Sequence, residues 1–230
     1  MKIYGLQKLT LLDFPDRMAC TVFTGGCNMR CPFCHNAGLV LSPCAQDLIP
    51  EERFFAFLQK RKGILDGVCI TGGEPCLQPD LADFIRRIRE GGFAVKLDTN
   101  GSFPDVLQAL LQQGLLDYVA MDVKNAPARY AETCGVPGFD PAPVERSVRL
   151  LQQSGVPFEL RTTVVAGLHT QEDLLAIGRW MQGAPRYYLQ NFVDSGATIE
   201  PGLAAWPPEQ LRAAAQALRP FFGLVEVRGI

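Results

Sequence analysis

A chain of 230 residues that is 47% hydrophobic and 20% charged can bury a sizeable core and is too apolar to be disordered. Its 22 Lys and Arg against 24 Asp and Glu give a net charge of −2, without the basic excess of a nucleic-acid binder. No apolar run approaches the ~18 residues of a membrane span, and the opening holds only the short stretch 9–12 before Asp13. Neither a span nor a signal peptide is read, and a cytoplasmic protein is expected.

Apolar, β-rich runs alternate with segments of helical period. The spacing predicts a first strand at 18–24, then a helix at 50–62 opened by Pro50, with Phe54, Phe57 and Leu58 inward. A second strand at 67–71 precedes a helix at 80–89 with Leu81, Phe84, Ile85 and Ile88 on one face. The third strand, 93–98, leads to a helix at 104–113 stopped by Gly114, and the fourth, 118–123, to a helix at 143–153 ended by Gly155. A fifth strand at 158–165, a helix at 171–181 and a sixth strand at 187–192 follow. A last helix spans 208–222, and 224–227 reads as a short strand or coil.

Strands separated by helices of about 10–15 residues indicate βαβ units and a parallel sheet. No composition break or repeat divides the chain, so a single α/β domain over 1–230 is expected. Two architectures compete, an open doubly wound sheet and a barrel or part-barrel. No Gly-x-Gly-x-x-Gly turn follows the first strand, which removes the usual dinucleotide fingerprint. A barrel gathers functional residues at the C-terminal ends of its strands. The unusual residues of this chain fall there.

Directly after the first strand comes Gly25-Gly26-Cys27-Asn28-Met29-Arg30-Cys31-Pro32-Phe33-Cys34-His35-Asn36. Eight cysteines in a chain this long are too few for a disulfide framework, so three in one loop point to a metal or catalytic site. Zinc usually takes four ligands in two separated pairs, and no second Cys-x2-Cys exists here. Thiolates are also the ligands of iron–sulfur clusters, and three on a cubane leave one iron open to a bidentate small molecule. Three buried apolar cysteines would be the bland account. Glycines leading into a post-strand loop argue against it.

This loop resembles the signature of the radical S-adenosylmethionine (SAM) superfamily. Its Cys34-His35-Asn36 continuation is similar to that of the glycyl-radical-enzyme activases. The opening Tyr4-Gly5-Leu6-Gln7-Lys8, with Leu12-Asp13-Phe14-Pro15, resembles activating proteins of anaerobic ribonucleoside-triphosphate reductase. The resemblance implies an incomplete (β/α)6 TIM-type barrel and a [4Fe-4S] cluster on Cys27, Cys31 and Cys34, its open iron chelated by SAM. The implied partners are a glycyl radical enzyme as protein substrate and a flavodoxin- or ferredoxin-like electron donor, with no nucleic acid or membrane involved. Beyond cluster and SAM, no side chain is expected to be catalytic.

The second strand ends in Gly72-Gly73-Glu74-Pro75, where glycines let a ligand approach and a carboxylate can accept from an ammonium. Alone this is an ordinary turn; its position matches the family's motif for the amino group of SAM. The third strand ends in Asp98 and the fourth in Asp122-Val123-Lys124. A turn cap and a surface ion pair would explain them. The resemblance instead implies contacts with the ribose and carboxylate of SAM, and a monovalent cation near Asp98 and Asp122. Arg161 could reach a carboxylate from the fifth strand, Phe33 could pack against SAM, and His35 is expected near the adenine or cluster by adjacency. Cys20 and Cys69 read as core, Cys44 and Cys134 as loop residues without a partner pattern, and His169 as a loop residue. Cys76 departs from the Thr or similar residue that relatives commonly carry after Gly-Gly-Glu-Pro. Two other readings compete: a small-molecule radical SAM enzyme of the 7-carboxy-7-deazaguanine synthase kind, and a non-catalytic iron–sulfur electron carrier. Three ligands rather than four speak against the carrier.

Overall fold

In the computed structural model, which describes residues 1–43 and 47–230, the strands follow one another in the sheet in chain order. They are β1 (Ile3–Thr10), β2 (Ala19–Thr24), β3 (Gly67–Gly72), β4 (Ala94–Thr99), β5 (Tyr118–Asp122), β6 (Phe158–Val164), β7 (Arg186–Asn191) and β8 (Leu224–Arg228). β2–β3, β3–β4, β6–β7 and β7–β8 pair in parallel, as the βα alternation predicts. The open choice at 224–227 resolves as strand β8. Strand β1 was not expected: it pairs antiparallel with β2, with register shifts between Ile3 and Gly5 and between Gln7 and Thr10. Cys44 lies outside the described residues.

Helices α1 (Ala37–Leu41), α2 (Glu51–Lys60), α3 (Leu81–Glu90), α4 (Pro104–Gln112), α5 (Tyr130–Thr133), α6 (Ala142–Ser154), α7 (Gln171–Trp180) and α8 (Pro208–Leu218) fill the connections. The short α1 and α5 carry no apolar period long enough to be read from sequence.

The chain divides into two compact units. The first comprises Met1–Asn28, Gly38–Thr99 and Asp105–Ala120, the second Met29–Ala37, Asn100–Pro104 and Met121–Ile230. In the first, α2 and α3 bury Phe54, Leu58, Leu81, Phe84, Ile85 and Ile88, with Phe54 stacked on Phe84 at 5.2 Å; Phe57 is half-buried. Phe14, from the Leu-Asp-Phe-Pro segment, packs with Ala19, Ala94 and Tyr118 at the N-terminal ends of β2, β4 and β5. In the second unit Tyr130 stacks on Phe139 at 5.4 Å and meets Trp180 edge-on at 6.0 Å. Helix α7 opens on a capping box in which the Thr170 hydroxyl accepts from Asp173 N and Asp173 accepts from Thr170 N.

Candidate functional site

Of the residues singled out in the sequence, the first unit carries Cys27, Gly72, Gly73, Glu74 and Asp98; the second carries Cys31, Phe33, Cys34, His35, Asp122, Lys124 and Arg161.

In the first unit, β2 runs through Gly25 and Gly26 into Cys27. Gly26 N donates to Leu39 O at 2.8 Å, Glu74 N donates to Gly26 O at 2.8 Å, and Gly73 N to Thr24 O at 2.9 Å. The last two bonds lace the Gly-Gly-Glu turn to Gly26 and Thr24, ahead of Cys27, and only glycine permits the approach. A Cβ on Gly73 would stand 1.9 Å from Gly26 O, and one on Gly72, at φ +116°, would stand 2.3 Å from Thr24 O. Sequence reasoning expected a ligand to need these glycines; the group that needs them here is the cysteine loop's own backbone.

Glu74 is 1% exposed, and its Oε1 accepts from Cys76 N at 3.0 Å and from Thr99 Oγ1 at 2.8 Å. Cys76 thus adjoins Glu74. Burial, then the Glu74 charge, push its thiol well above the ordinary value, so it stays protonated. Asp98 closes β4. Lys96, two residues back and on the same face, bonds Asp98 Oδ1 and lies 3.8 Å from Cys69 Sγ, while that thiol donates to Asp98 Oδ1 at 3.7 Å. Cys69 is buried as expected, but within a polar group. Lys96 was missed; its signal is a lone lysine inside the apolar strand 93–98.

In the second unit, Arg30 N donates to Cys134 O at 2.8 Å, and Cys34 N to Cys31 O at 3.0 Å. Gly135, at φ +66°, sits so close that a Cβ would stand 2.1 Å from Arg30 O. Cys134 and Gly135 therefore brace the middle of the cysteine loop, a role no spacing announced. Phe33 is buried against His169, ring centroids 6.3 Å apart. His169 is also buried: Val165 N donates to its Nδ1 at 3.2 Å, so Nε2 carries the proton toward Lys124 O at 2.8 Å. Burial holds its pKa below the ordinary value. His35 is exposed, stacked on Phe192 at 5.6 Å, with Nε2 2.7 Å from Val193 O.

Asp122 ends β5 between two cations, Lys124 Nζ at 3.0 Å and Arg161 Nε at 2.9 Å. Desolvation pushes its carboxyl up, but Arg161 and Lys124 outweigh that and hold it at about 2. Burial pushes the Lys124 ammonium down, yet the charges of Asp122 and Cys31 hold it above its usual range. Arg161 pairs with a carboxylate of the chain itself, that of Asp122.

A cysteine loop after a strand, with acids at the strand ends, defines a class: metalloenzymes built on a parallel βα sheet. A family model of the radical SAM superfamily matches residues 21–181. The chain belongs to the radical SAM superfamily and is an enzyme of that family. A candidate glycyl-radical enzyme activating enzyme of Methanocaldococcus jannaschii is 34% identical over 204 residues, 86% of this chain and 82% of that one. The 7-carboxy-7-deazaguanine synthase of Methanopyrus kandleri is 34% identical over 120 residues, 43% of this chain and 46% of that one. Streptococcus suis SuiB has the same α/β fold, with a TM-score of 0.70 at 14% identity over 92% of this chain; the chain spans 49% of that structure's length. The partial parallel barrel expected from sequence is therefore the fold. No helix among the described residues is long and apolar enough to cross a membrane.

The family implies a [4Fe-4S] cluster and SAM, and the donor chemistry fits both. None of Cys27, Cys31 and Cys34 is in a disulfide; Cys31 is buried and the others are half-buried. Among the described residues no three His, Cys, Asp or Glu side chains converge on a single metal ion. A cubane asks something else, since it spreads its thiolates over separate irons. Glu74 and Lys124 offer an acceptor and a donor of the kinds that the amino and carboxylate groups of SAM require.

Proposed function

We propose that this chain is a radical SAM activase that generates a glycyl radical on a partner enzyme, an anaerobic ribonucleoside-triphosphate reductase. One observation carries the reading: the likeness to the M. jannaschii activating enzyme spans most of both chains, whereas the deazaguanine synthase matches over less than half of either. The Cys34-His35-Asn36 and Leu12-Asp13-Phe14-Pro15 segments support the same choice.

In this reading Cys27, Cys31 and Cys34 hold the cluster. Glu74, fixed by Cys76 N and Thr99 Oγ1, accepts from the SAM amino group beside Gly72 and Gly73. Lys124, steadied by Asp122, donates to the SAM carboxylate, while Arg161 holds Asp122 ionised. Asp98 accepts from the ribose hydroxyls, and Phe33 packs against SAM with His169 behind it. His35, exposed and turned to Val193 O, takes an outer position at the loop's rim. When bound, the reduced cluster and SAM supply a 5′-deoxyadenosyl radical, the hydrogen-atom acceptor for a glycine of the partner. A flavodoxin- or ferredoxin-like protein supplies the electron. No disulfide joins any of the seven described cysteines, which fits a reducing setting.

The test mixes the reduced, reconstituted protein with SAM and a reductase from the same source and records the electron paramagnetic resonance spectrum. A glycine-centred doublet, with deoxyadenosine formed only when the reductase is present, is expected. SAM cleavage without that radical, coupled to turnover of a pterin-like metabolite, would move the chain to the small-molecule class.

A further inference from the structure

Tyr130 opens α5 in the second unit and is fully buried, its ring stacked on Phe139 at 5.4 Å and edge-on to Trp180 at 6.0 Å. Packing accounts for the ring but not for the hydroxyl. Among the described residues this is the one buried side-chain oxygen or nitrogen with no hydrogen-bond partner. The Lys124 amide acts on the phenolic oxygen, yet an N–H can serve only a lone pair, and the hydroxyl proton still has no acceptor. A buried donor left unmet is destabilising, and phenylalanine would give the same stacking without that cost. Burial pushes the hydroxyl above its ordinary pKa, so the proton stays in place.

The surroundings narrow the choice of acceptor. Three charged or chargeable groups act on the hydroxyl: the Lys124 ammonium and the thiols of Cys31 and Cys134. An ammonium only donates. The Cys134 thiol is directed to Ala131 O at 3.6 Å, and burial keeps it neutral, a weak acceptor. Cys31 differs. The residue before it is tied to the end of α5 by the bond from Arg30 N to Cys134 O at 2.8 Å, and the Lys124 ammonium faces it as well. A cysteine that ligates iron does so as a thiolate, which accepts. We propose that Tyr130 keeps its hydroxyl proton for the sulfur of Cys31, and that the hydrogen bond formed when the cluster is bound makes the cluster easier to reduce. A donor at a cluster sulfur offsets negative charge, which favours the reduced state. Tyr130 is thus a positioning residue that acts on the cluster through Cys31. The proposal rests on the reading above that Cys31 holds the cluster.

The test is a redox titration of the reconstituted protein without SAM, followed by electron paramagnetic resonance of the reduced cluster. At a fixed potential, Tyr130→Phe should lower the ratio of reduced to oxidised cluster about tenfold, a shift of ~59 mV for one electron, with its iron content unchanged. Before reconstitution the same variant should melt at or above the wild-type temperature, since the hydroxyl has no bond to lose. In wild type alone, resonance Raman spectra of protein reconstituted in water and in deuterium oxide should differ in the iron–cysteine sulfur stretches. An unmoved potential in Tyr130→Phe overturns the proposal. So does a lower melting temperature before reconstitution, which would show the proton already bonded. Wild-type stretches indifferent to deuterium overturn it too, and need no variant that folds. Full iron content in Cys31→Ala overturns the site reading, and this proposal with it; a failure confined to the Tyr130 measurements leaves the site reading standing.

Discussion

Glu74 combines two duties that an alanine substitution cannot separate. Its Oε1 accepts from Cys76 N and the Thr99 hydroxyl, so Glu74→Ala takes this acceptor from two buried donors and should cost about 1–3 kcal/mol of stability before any ligand is considered. Glu74→Gln keeps an acceptor and removes only the charge. We expect it to melt near wild type and bind SAM about 10- to 150-fold more weakly, the worth of one desolvated charge-assisted contact. Calorimetry with parallel melts would expose the opposite case, an unchanged affinity. His169 gives a prediction with a sign. Its folded-state pKa is held below the ordinary 6.5 by burial, so the unfolded chain takes up the proton first. That contribution to stability is fully present above pH ~6.5 and is lost as pH falls toward the lower folded-state value. The melting temperature should drop as pH falls below about 6.5, and more shallowly in His169→Gln. The cysteines, Glu74, Asp98, Asp122 and Lys124 were legible because each belongs to a short local pattern. Gly135 was not: what makes it necessary is Arg30, 105 positions away in sequence and in contact only after folding.

At the scale of elements, the alternation of strands and helices was readable because each core face repeats at its own period. β1 escaped because Ile3–Thr10 buries only its two ends, holds Gly5, Gln7 and Lys8 between them, and pairs with a broken register. The nearby Leu-Asp-Phe-Pro segment proves to be a packing device. Phe14 fills the N-terminal ends of β2, β4 and β5, and the Thr21 hydroxyl donates to Asp13 at 2.6 Å. Phe14→Ala should therefore cost about 3–5 kcal/mol in denaturant unfolding while leaving SAM affinity as it was. A weakened SAM affinity in a folded Phe14→Ala protein would give the segment a part in binding. Gly73→Ala acts just past β3 and Gly135→Ala just past α5. Each drives a methyl group into the backbone of the cysteine segment, at Gly26 and at Arg30 respectively. We expect both to lose iron on reconstitution even though neither touches a thiol, and full iron content in either would show that the loop can yield.

For the whole molecule, anaerobic reconstitution should give about four irons per chain. Cys27→Ala, Cys31→Ala or Cys34→Ala should abolish them, whereas Cys134→Ala, which keeps the backbone carbonyl that Arg30 N meets, should not. About eight irons per chain would point to a second cluster. Cys20, its thiol pushed up to about 12 by burial, and Cys76 should resist alkylation in the native protein. The order of the strands has a consequence of another kind. Because each strand pairs with its neighbour in the chain, every strand after β1 leaves the ribosome with its pairing edge already made. The three loop thiols emerge early, directly after β2, and the residues that brace them follow at 73 and 135. During synthesis the loop is therefore exposed before it is held, so the order of translation favours metal loading after the chain is complete.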